Sequence, residues 1–234
     1  MRVPTDIQRM VADGLSAVDA HPEHQYDWRR RRDMYQHMHD SYGERGREAH
    51  GWLAVLAAEH VLPLFTSTFP DDPLPRRLVE TARQIMQKGI PLQSAALDAL
   101  EDEGYLATGI DCMTWRPTIA YNAEYAGEAA YKVLMEARGV QDLLHATERL
   151  ICGQEVQVFA MPANMSAEAI TDREIAHLAA YSDTASAAAI AAACDKEQFR
   201  LNRHQLKVFW EWWGTTAMTE AWASIERTGQ RRPG

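Results

Sequence analysis

The sequence predicts an all-α protein, a single-domain helical bundle of seven to nine helices built from stacked helical hairpins. Apolar residues recur at three- and four-residue spacings through most of the 234 residues, the pattern of helices with buried faces. Alternation typical of a β-strand is found only in residues 154–159. Because one strand cannot form a sheet, we interpret that segment as an extended linker or a dimer contact.

Helix boundaries follow from the periodicity and from the residues that start and stop helices. Thr5 and Thr171 are suited to cap helix N-termini, whereas glycines and the histidine–proline pair at residues 21–22 end helices. In chain order, the predicted helices begin near Thr5, Trp28, Trp52, Pro73, Pro91, Thr118, Val140, Thr171 and Asp195.

Residues 24–50 are unusually polar. They contain the basic run Arg29–Arg32 and, in or beside the segment, His21, His24, His37, His39 and His50. We interpret the segment as a solvated helix followed by a loop at residues 42–46. Two alternatives stay open: an anion clamp by the arginines, and a metal site through His37 and His39. The metal site is disfavoured because residues two apart on a helix point in different directions.

The stretch from residue 52 to 89 is predicted to form two helices joined by a proline-rich acidic turn at residues 69–75. Pro63 lies inside the first helix, which is apolar on most sides. Asp72 can cap the second helix, and Pro73 fits its first position. The second helix directs Leu78, Val79, Ala82, Ile85 and Met86 to the core and Arg76, Arg77, Glu80, Arg83 and Gln84 outwards.

The helices after this hairpin are rich in alanine. The helix from Pro91 is predicted to end at residues 101–104, before a loop or short helix at residues 105–117. The helix over about residues 118–138 has a face of small residues that lets a neighbouring helix approach closely, and its charged residues four apart suggest a solvated side. The small residues are Ala123, Ala126, Gly127 and Ala130, and the charged ones are Glu124, Glu128 and Lys132.

Two long helices are predicted at the C-terminal end. One runs from the capping box at Thr171 through the alanine-rich segment to Cys194, and the other spans about residues 195–225. In the last helix Leu206, Phe209, Trp210, Trp213 and Ala217 share a face, whereas Trp212 and Trp222 do not. At least one of the clustered indoles therefore faces another helix, a groove or a partner.

Two motifs in the hairpin resemble a family signature. Residues 58–65 read Ala-Glu-His-Val-Leu-Pro-Leu-Phe, and residues 70–76 read Pro-Asp-Asp-Pro-Leu-Pro-Arg. They resemble the Ala-Glu-x-Val-Leu-Pro-Leu-Phe run and the Pro-Asp-Asp-x-x-Pro-Arg turn of the fifth catalogued family of immunity proteins in bacterial polymorphic toxin systems. The resemblance covers about residues 50–138 and implies a protein that binds a toxin. The same residues also suit a purely structural helix–turn–helix corner.

We expect one all-α domain over residues 1–226. Within it, residues 1–45 form an N-terminal extension, residues 46–153 the helical core similar to the family, and residues 154–226 the C-terminal helices. The basic tail at residues 227–234 is expected to be disordered.

Composition and missing motifs exclude several classes of function. The net charge of −9 argues against nucleic acid as the main ligand. No apolar run reaches the about 18 residues of a membrane span, and no secretory signal is expected. The 3 cysteines are far apart, which favours reduced thiols and a cytoplasmic location. Nucleotide-binding loops and the common hydrolase motifs are absent from the sequence, so we expect no cofactor and leave enzymatic activity uncertain.

The first functional hypothesis is a cytoplasmic immunity protein that binds and occludes a cognate toxin. Its acidity would speed the encounter with a basic partner. The residues expected to bind the partner are Asp71, Asp72, Arg76, Arg77, Glu80 and Trp212.

The alternative is an enzyme or small-molecule-binding protein on a recruited immunity-like scaffold, with a pocket between helices. Candidate pocket residues are Glu59, His60, Tyr125, Glu174, His177, Trp210 and Trp213. Glu174 and His177, with His145 and Glu148, also resemble part of a di-iron helical site, but the second Glu-x-x-His step is missing, and we predict no metal. Whether the chain forms a homodimer is left open.

Overall fold

The computed structural model describes residues 2–88, 95–108, 121–138, 183–196 and 200–229. In these ranges the regular elements are helices, and strand-like pairing is limited to one isolated bridge between Cys194 and Leu201. The prediction of an all-α fold is confirmed. The helices are α1 (Thr5–Ala20), α2 (Trp28–Tyr42), α3 (Glu44–Thr68), α4 (Leu74–Lys88), α5 (Ala95–Thr108), α6 (Tyr121–Ala137), α7 (Thr184–Ala193), α8 (Arg203–Trp212) and α9 (Met218–Gly229), with a π-helical segment, Trp213–Ala217, between α8 and α9.

Helix α3 lies at the centre of this arrangement, where α2, α4, α6, α7 and α9 all pack against it. Every residue from 52 to 58 is buried, so this part of the helix is enclosed on most sides, as the sequence predicted. Pro63 lies inside the helix, which continues to Thr68. Towards that end one side becomes exposed at His60, Pro63 and Ser67. None of the described helices has the length and apolar character needed to cross a membrane.

The α3–α4 hairpin forms as the sequence predicted. Asp72 Oδ1 accepts a hydrogen bond of 2.9 Å from the backbone N–H of Leu74 and so caps α4. The amphipathic division of α4 also holds, since its apolar positions are buried and its five charged or amide positions are exposed. The buried residues are Leu78, Val79, Ala82, Ile85 and Met86, and the exposed ones are Arg76, Arg77, Glu80, Arg83 and Gln84.

Two predicted boundaries are wrong, the loop at residues 42–46 and the end of the helix at residues 101–104. The loop at residues 42–46 is wrong, because Gly43 alone separates α2 from α3 and turns the chain with φ of 56°. Gly46 lies within α3, and a Cβ atom there would be only 1.9 Å from the backbone oxygen of Met38. Helix α5 also continues through Gly104 to Thr108, since one glycine weakens a helix without ending it.

The face of small residues on α6 is buried, as predicted, and packs against α3, α4 and α7. The solvated side predicted for the same helix is wrong at Lys132, which is 3% exposed. Its Nζ lies 3.1 Å from Glu128 Oε1. A four-residue spacing makes two side chains neighbours, but it does not determine whether they face water.

Helix α7 begins later than predicted. Asp183 has an extended backbone and caps the helix by accepting a bond from the N–H of Ser186, so a helix running unbroken from Thr171 to Cys194 is wrong. Three other predictions, the helix from Val140, the strand-like residues 154–159 and the capping box at Thr171, lie outside the described residues.

The final predicted helix is divided. Asn202 caps α8, so the helical region starts at Arg203 rather than at Asp195. The π-helical segment then adds about one residue to a turn, which shifts later side chains by about 100°. Trp222, expected off the apolar face, is consequently fully buried.

Candidate functional site

A stacked pair of aromatic side chains lies where α8 meets the exposed side of α3. The rings of His60 and Trp212 are 3.9 Å apart at an interplanar angle of 24°. His60 is exposed and Trp212 half-buried, whereas Trp210 and Trp213 are in the core. Successive residues on a helix are separated by about 100°, so the three indoles diverge, and Trp212 is the one directed to the surface.

A half-buried acidic residue lies next to this pair. Glu59 Oε1 is 3.0 Å from Arg83 Nε of α4. Burial raises the pKa of Glu59, Arg83 opposes this effect, and the nearby charge of Glu220 on α9 raises the pKa further. Burial also lowers the pKa of His60. At neutral pH the surface therefore combines a neutral imidazole and an indole with carboxylates supplied by two helices.

Both aspartates of the acidic turn, Asp71 and Asp72, are exposed. Phe69, which begins the turn, is one of the exposed large apolar side chains and packs against Phe65 with a ring separation of 5.1 Å. Arg77 is directed towards α5, where its Nη1 lies 3.1 Å from Glu103 Oε1.

The exposed side of α4 connects the turn to the aromatic pair. Arg76, Glu80 and Arg83 are separated by four and three residues and therefore lie along one side of the helix. Arg83 in turn contacts Glu59, which precedes His60. We call the surface formed by the 69–75 turn, Arg76, Glu80, Arg83, Glu59, His60 and Trp212 the hairpin face. Five of the six predicted partner-binding residues belong to it, and Arg77 lies at its edge.

A second cluster of polar residues is buried away from this surface. Arg31, which is 1% exposed, forms two hydrogen bonds of 2.9 Å with the carboxylate of Asp183. It also donates to the carbonyl oxygen of Tyr26 and the hydroxyl of Ser186 and lies 4.8 Å from the ring centroid of Trp210. Burial would raise the pKa of Asp183, but the attraction and hydrogen bonds of Arg31 hold it well below its usual range. Both groups are therefore ionised.

The buried cluster continues through aromatic and acidic groups. Tyr35 donates to Asp183 Oδ2 at 3.2 Å, and its ring stacks on His50 at 3.9 Å. His50 lies 3.2 Å from Glu136, whose other oxygen accepts bonds from the backbone and side chain of Thr184. His39 completes the chain of contacts, with its Nε2 at 3.2 Å from His50 Nδ1. The cluster therefore joins α2, α3 and α6 to the start of α7.

The described pocket candidates occupy different places. Glu59 and His60 lie on the hairpin face. Trp210 and Trp213 contact Tyr26 in the core. Tyr125 lies on α6, where burial near Glu128 and Cys194 raises its pKa. Glu174 and His177 lie outside the described residues, as do His145 and Glu148. Within the described part of the chain, no group of three or more His, Cys, Asp and Glu side chains is placed to hold a metal ion.

Neither carboxylate of the buried cluster, Asp183 or Glu136, was predicted from the sequence. Asp183 was recognisable as a capping residue, because a serine follows three positions later and an alanine-rich helix comes next. The partner of Arg31 was not recognisable, since nothing local to residues 29–32 indicates a contact 152 residues away. Of the four arginines considered as an anion clamp, Arg31 binds a carboxylate of the chain itself, whereas Arg29 and Arg30 are exposed.

Comparison with known families gives one match. The model of the family described as Immunity protein Imm5 matches residues 11–220. The match is much longer than the residues 50–138 that carried the resemblance, and it includes most of α1 and all of α2, α7 and α8. Comparison with curated proteins gave no match.

Proposed function

The chain belongs to the Immunity protein Imm5 family, and on this premise we propose that it binds a cognate bacterial toxin and occludes its active cleft. The family match over residues 11–220 carries the proposal. The hairpin face is the binding surface that we infer. It presents exposed charged residues beside a half-buried tryptophan, the combination of an anchor and a polar rim that protein interfaces use.

The geometry of the hairpin face suits a rigid protein partner. The side chains are held on three helices and a capped turn, so little backbone conformational entropy is lost when they are covered. From Arg76 to Arg83 the face extends about 10 Å along α4, and the turn and α8 lengthen it at both ends. A stable interface covers about 800 Å² on each partner, which a three-helix surface can supply.

We also propose that the complex forms in the cytoplasm of a bacterium, because an immunity protein has to meet the toxin where the toxin acts. The net charge of −9 would accelerate encounter with a basic toxin at physiological salt. Helices outside residues 50–138 favoured the enzyme alternative, because additions to the family scaffold could enclose a cavity. The family match over residues 11–220 includes most of these helices and so weakens that argument.

Co-expression tests the proposal. The reading frame beside the gene for this chain is expressed in a bacterial host with and without the chain. We expect growth arrest by the neighbouring protein alone, rescue by the chain, and a one-to-one complex measured by calorimetry. Arrest without rescue, or no measurable complex, would contradict the proposal.

Variants of the turn locate the surface. Asp71→Ala and Asp72→Asn each remove one charge, and asparagine preserves the cap of α4. Both are expected to weaken the complex by about tenfold while the melting temperature stays unchanged. The matched control is Glu44→Gln, at an exposed position at the other end of α3, and this variant should bind the toxin as tightly as the wild-type chain does.

A further inference from the structure

An apolar strip extends the His60–Trp212 pair along α8. Val208 is four residues before Trp212, on the same side of the helix, and is 41% exposed. It is one of only two large apolar side chains classed as exposed within the described residues, the other being Phe69 of the turn. Phe69 belongs to the hairpin face and Val208 lies on the same side of α8 as its Trp212, so exposed apolar groups accompany the charged residues of this surface.

Three carboxylates of this part of the molecule each have a cationic partner within 4 Å, and Lys207 also pairs with Asp19 at 2.7 Å. Glu59 pairs with Arg83 at 3.0 Å, Glu220 with Arg227 at 3.9 Å and Glu211 with Lys207 at 3.6 Å. Arg83 and Arg227 are exposed, and ion pairs made by exposed cations contribute little to stability. A cation from a partner can therefore replace them without a large loss.

Glu59 is a carboxylate that a further cation would stabilise. It is half-buried, so water solvates it incompletely, and the nearby charge of Glu220 also disfavours its ionised form. Arg83 opposes both effects, and a second positive charge near the two glutamates would oppose them further. An acidic partner would instead add repulsion at the same place.

Resting on the proposed function, we infer that the toxin docks a basic segment on this surface, with a lysine or arginine between Glu59 and Glu220 and a neighbouring apolar side chain against His60, Trp212 and Val208. The occupant is thus defined by its chemistry: a positively charged surface segment that carries an apolar residue. Binding is expected to be steered by charge and anchored by Trp212.

Affinity measurements with the toxin from the neighbouring reading frame test the inference. Trp212→Ala should lower the affinity by at least about 30-fold, which is the effect of losing a binding hot spot. The double change of Glu59→Gln and Glu220→Gln should slow association and reduce its salt dependence, while Glu44→Gln leaves both unchanged. If the toxin binds these variants as it binds the wild-type chain, the inference is overturned but the proposed function stands. If rescue and complex formation fail with the wild-type chain, the proposed function fails instead.

A measurement without the toxin tests the charge of the surface directly. Fluorescence quenching by caesium and by iodide ions is compared for the wild-type chain, Trp212→Phe and Trp28→Phe, so that each difference isolates one indole. With quenching normalised to a free tryptophan derivative, Trp212 should favour the cationic quencher. Trp28 is the internal control and should favour iodide, because the guanidinium carbons of Arg29 and Arg32 lie 4.8 and 5.4 Å from its ring centroid.

The double change of Glu59→Gln and Glu220→Gln should then lower caesium quenching of Trp212 by about twofold. Equal quenching of Trp212 by both ions, or preference for iodide, would show that a basic segment is not attracted to this place and would overturn the inference.

Discussion

Arg31 of α2 and Asp183 at the start of α7 form a bidentate ion pair with two 2.9 Å hydrogen bonds, although 152 residues separate them in the chain. Both side chains are almost completely buried. A pair of this kind specifies which surfaces meet, because either member alone would be an uncompensated charge in the core.

Removing one member of the pair should therefore destabilise the protein strongly. Arg31→Met or Asp183→Asn is expected to lower the free energy of unfolding by about 3–5 kcal/mol, or the melting temperature by about 6–20 °C. Thermal unfolding followed by circular dichroism measures the change. Arg30→Met, at the exposed neighbouring position, is the control and should change stability by less than about 0.5 kcal/mol. Similar small losses at Arg31 and Arg30 would contradict the role of the pair.

The stability of the protein should fall in weak acid because of His39. Burial, assisted by electrostatic interaction with His50 and Arg47, lowers the pKa of His39 from 6.5 to about 4. The unfolded chain consequently binds more protons than the folded chain between these values, so stability present above pH 6.5 is lost as the pH falls towards 4. We expect a loss of about 1–2 kcal/mol for this half-buried group.

Melting temperatures recorded from pH 7 to pH 4.5 test this prediction. His39→Gln should reduce the pH dependence, whereas His204→Gln, at an exposed position of α8, should leave it as in the wild-type chain. If the melting temperature of the His39 variant depends on pH as that of the wild-type chain does, the prediction is wrong and other groups cause the loss of stability in acid.

The cap of α4 should be separable from the charge of the turn. Asp72→Ala removes the acceptor of the Leu74 N–H and should reduce stability by about 1 kcal/mol, or about 2–4 °C in melting temperature. Asp72→Asn keeps an acceptor at the same place and should restore most of this loss. Differential scanning calorimetry of the two variants decides the question, and equal stability of both would mean that the bond is not significant.

The stability of the protein should depend more on how many residues the π-helical segment contains than on which side chains they carry. Deleting the exposed Thr216 would return the segment to α-helical pitch and rotate Trp222 by about 100° out of the core. We expect a loss of at least about 3 kcal/mol or failure to fold, compared with less than about 1 kcal/mol for Thr216→Ala. Chemical denaturation measures both, and a deletion variant as stable as Thr216→Ala would contradict the register argument.

The sequence predicted best where structure is decided locally. The α3–α4 hairpin follows from apolar periodicity, Asp72 and the prolines, all within one stretch of chain. The partner of Arg31 was not predictable, because the choice among distant carboxylates depends on where the fold places the start of α7 relative to α2. The burial of Lys132 and the extra residue in the π-helical segment were missed for a related reason: spacing defines neighbours along a helix but not the depth at which a helix lies.

The hairpin face shows the same division. Trp212 was recognisable from the sequence, since clustered tryptophans cannot all be buried on one side of a helix. The turn was recognisable from its prolines and aspartates. Their connection through Glu59 and Arg83 required the antiparallel register of α3 and α4. Val208 and Glu220 were not selected, although a valine four residues before Trp212 was a usable sign of a shared surface.

The enclosure of α3 by five other helices also limits how far the molecule can be reduced. A synthetic peptide covering residues 44–88 would contain most of the hairpin face, yet it would expose to water every apolar side chain from 52 to 58. Such a fragment is expected to aggregate or lose its helical structure rather than act as a decoy for the toxin. A minimal inhibitor derived from this protein would have to graft the face onto another rigid scaffold.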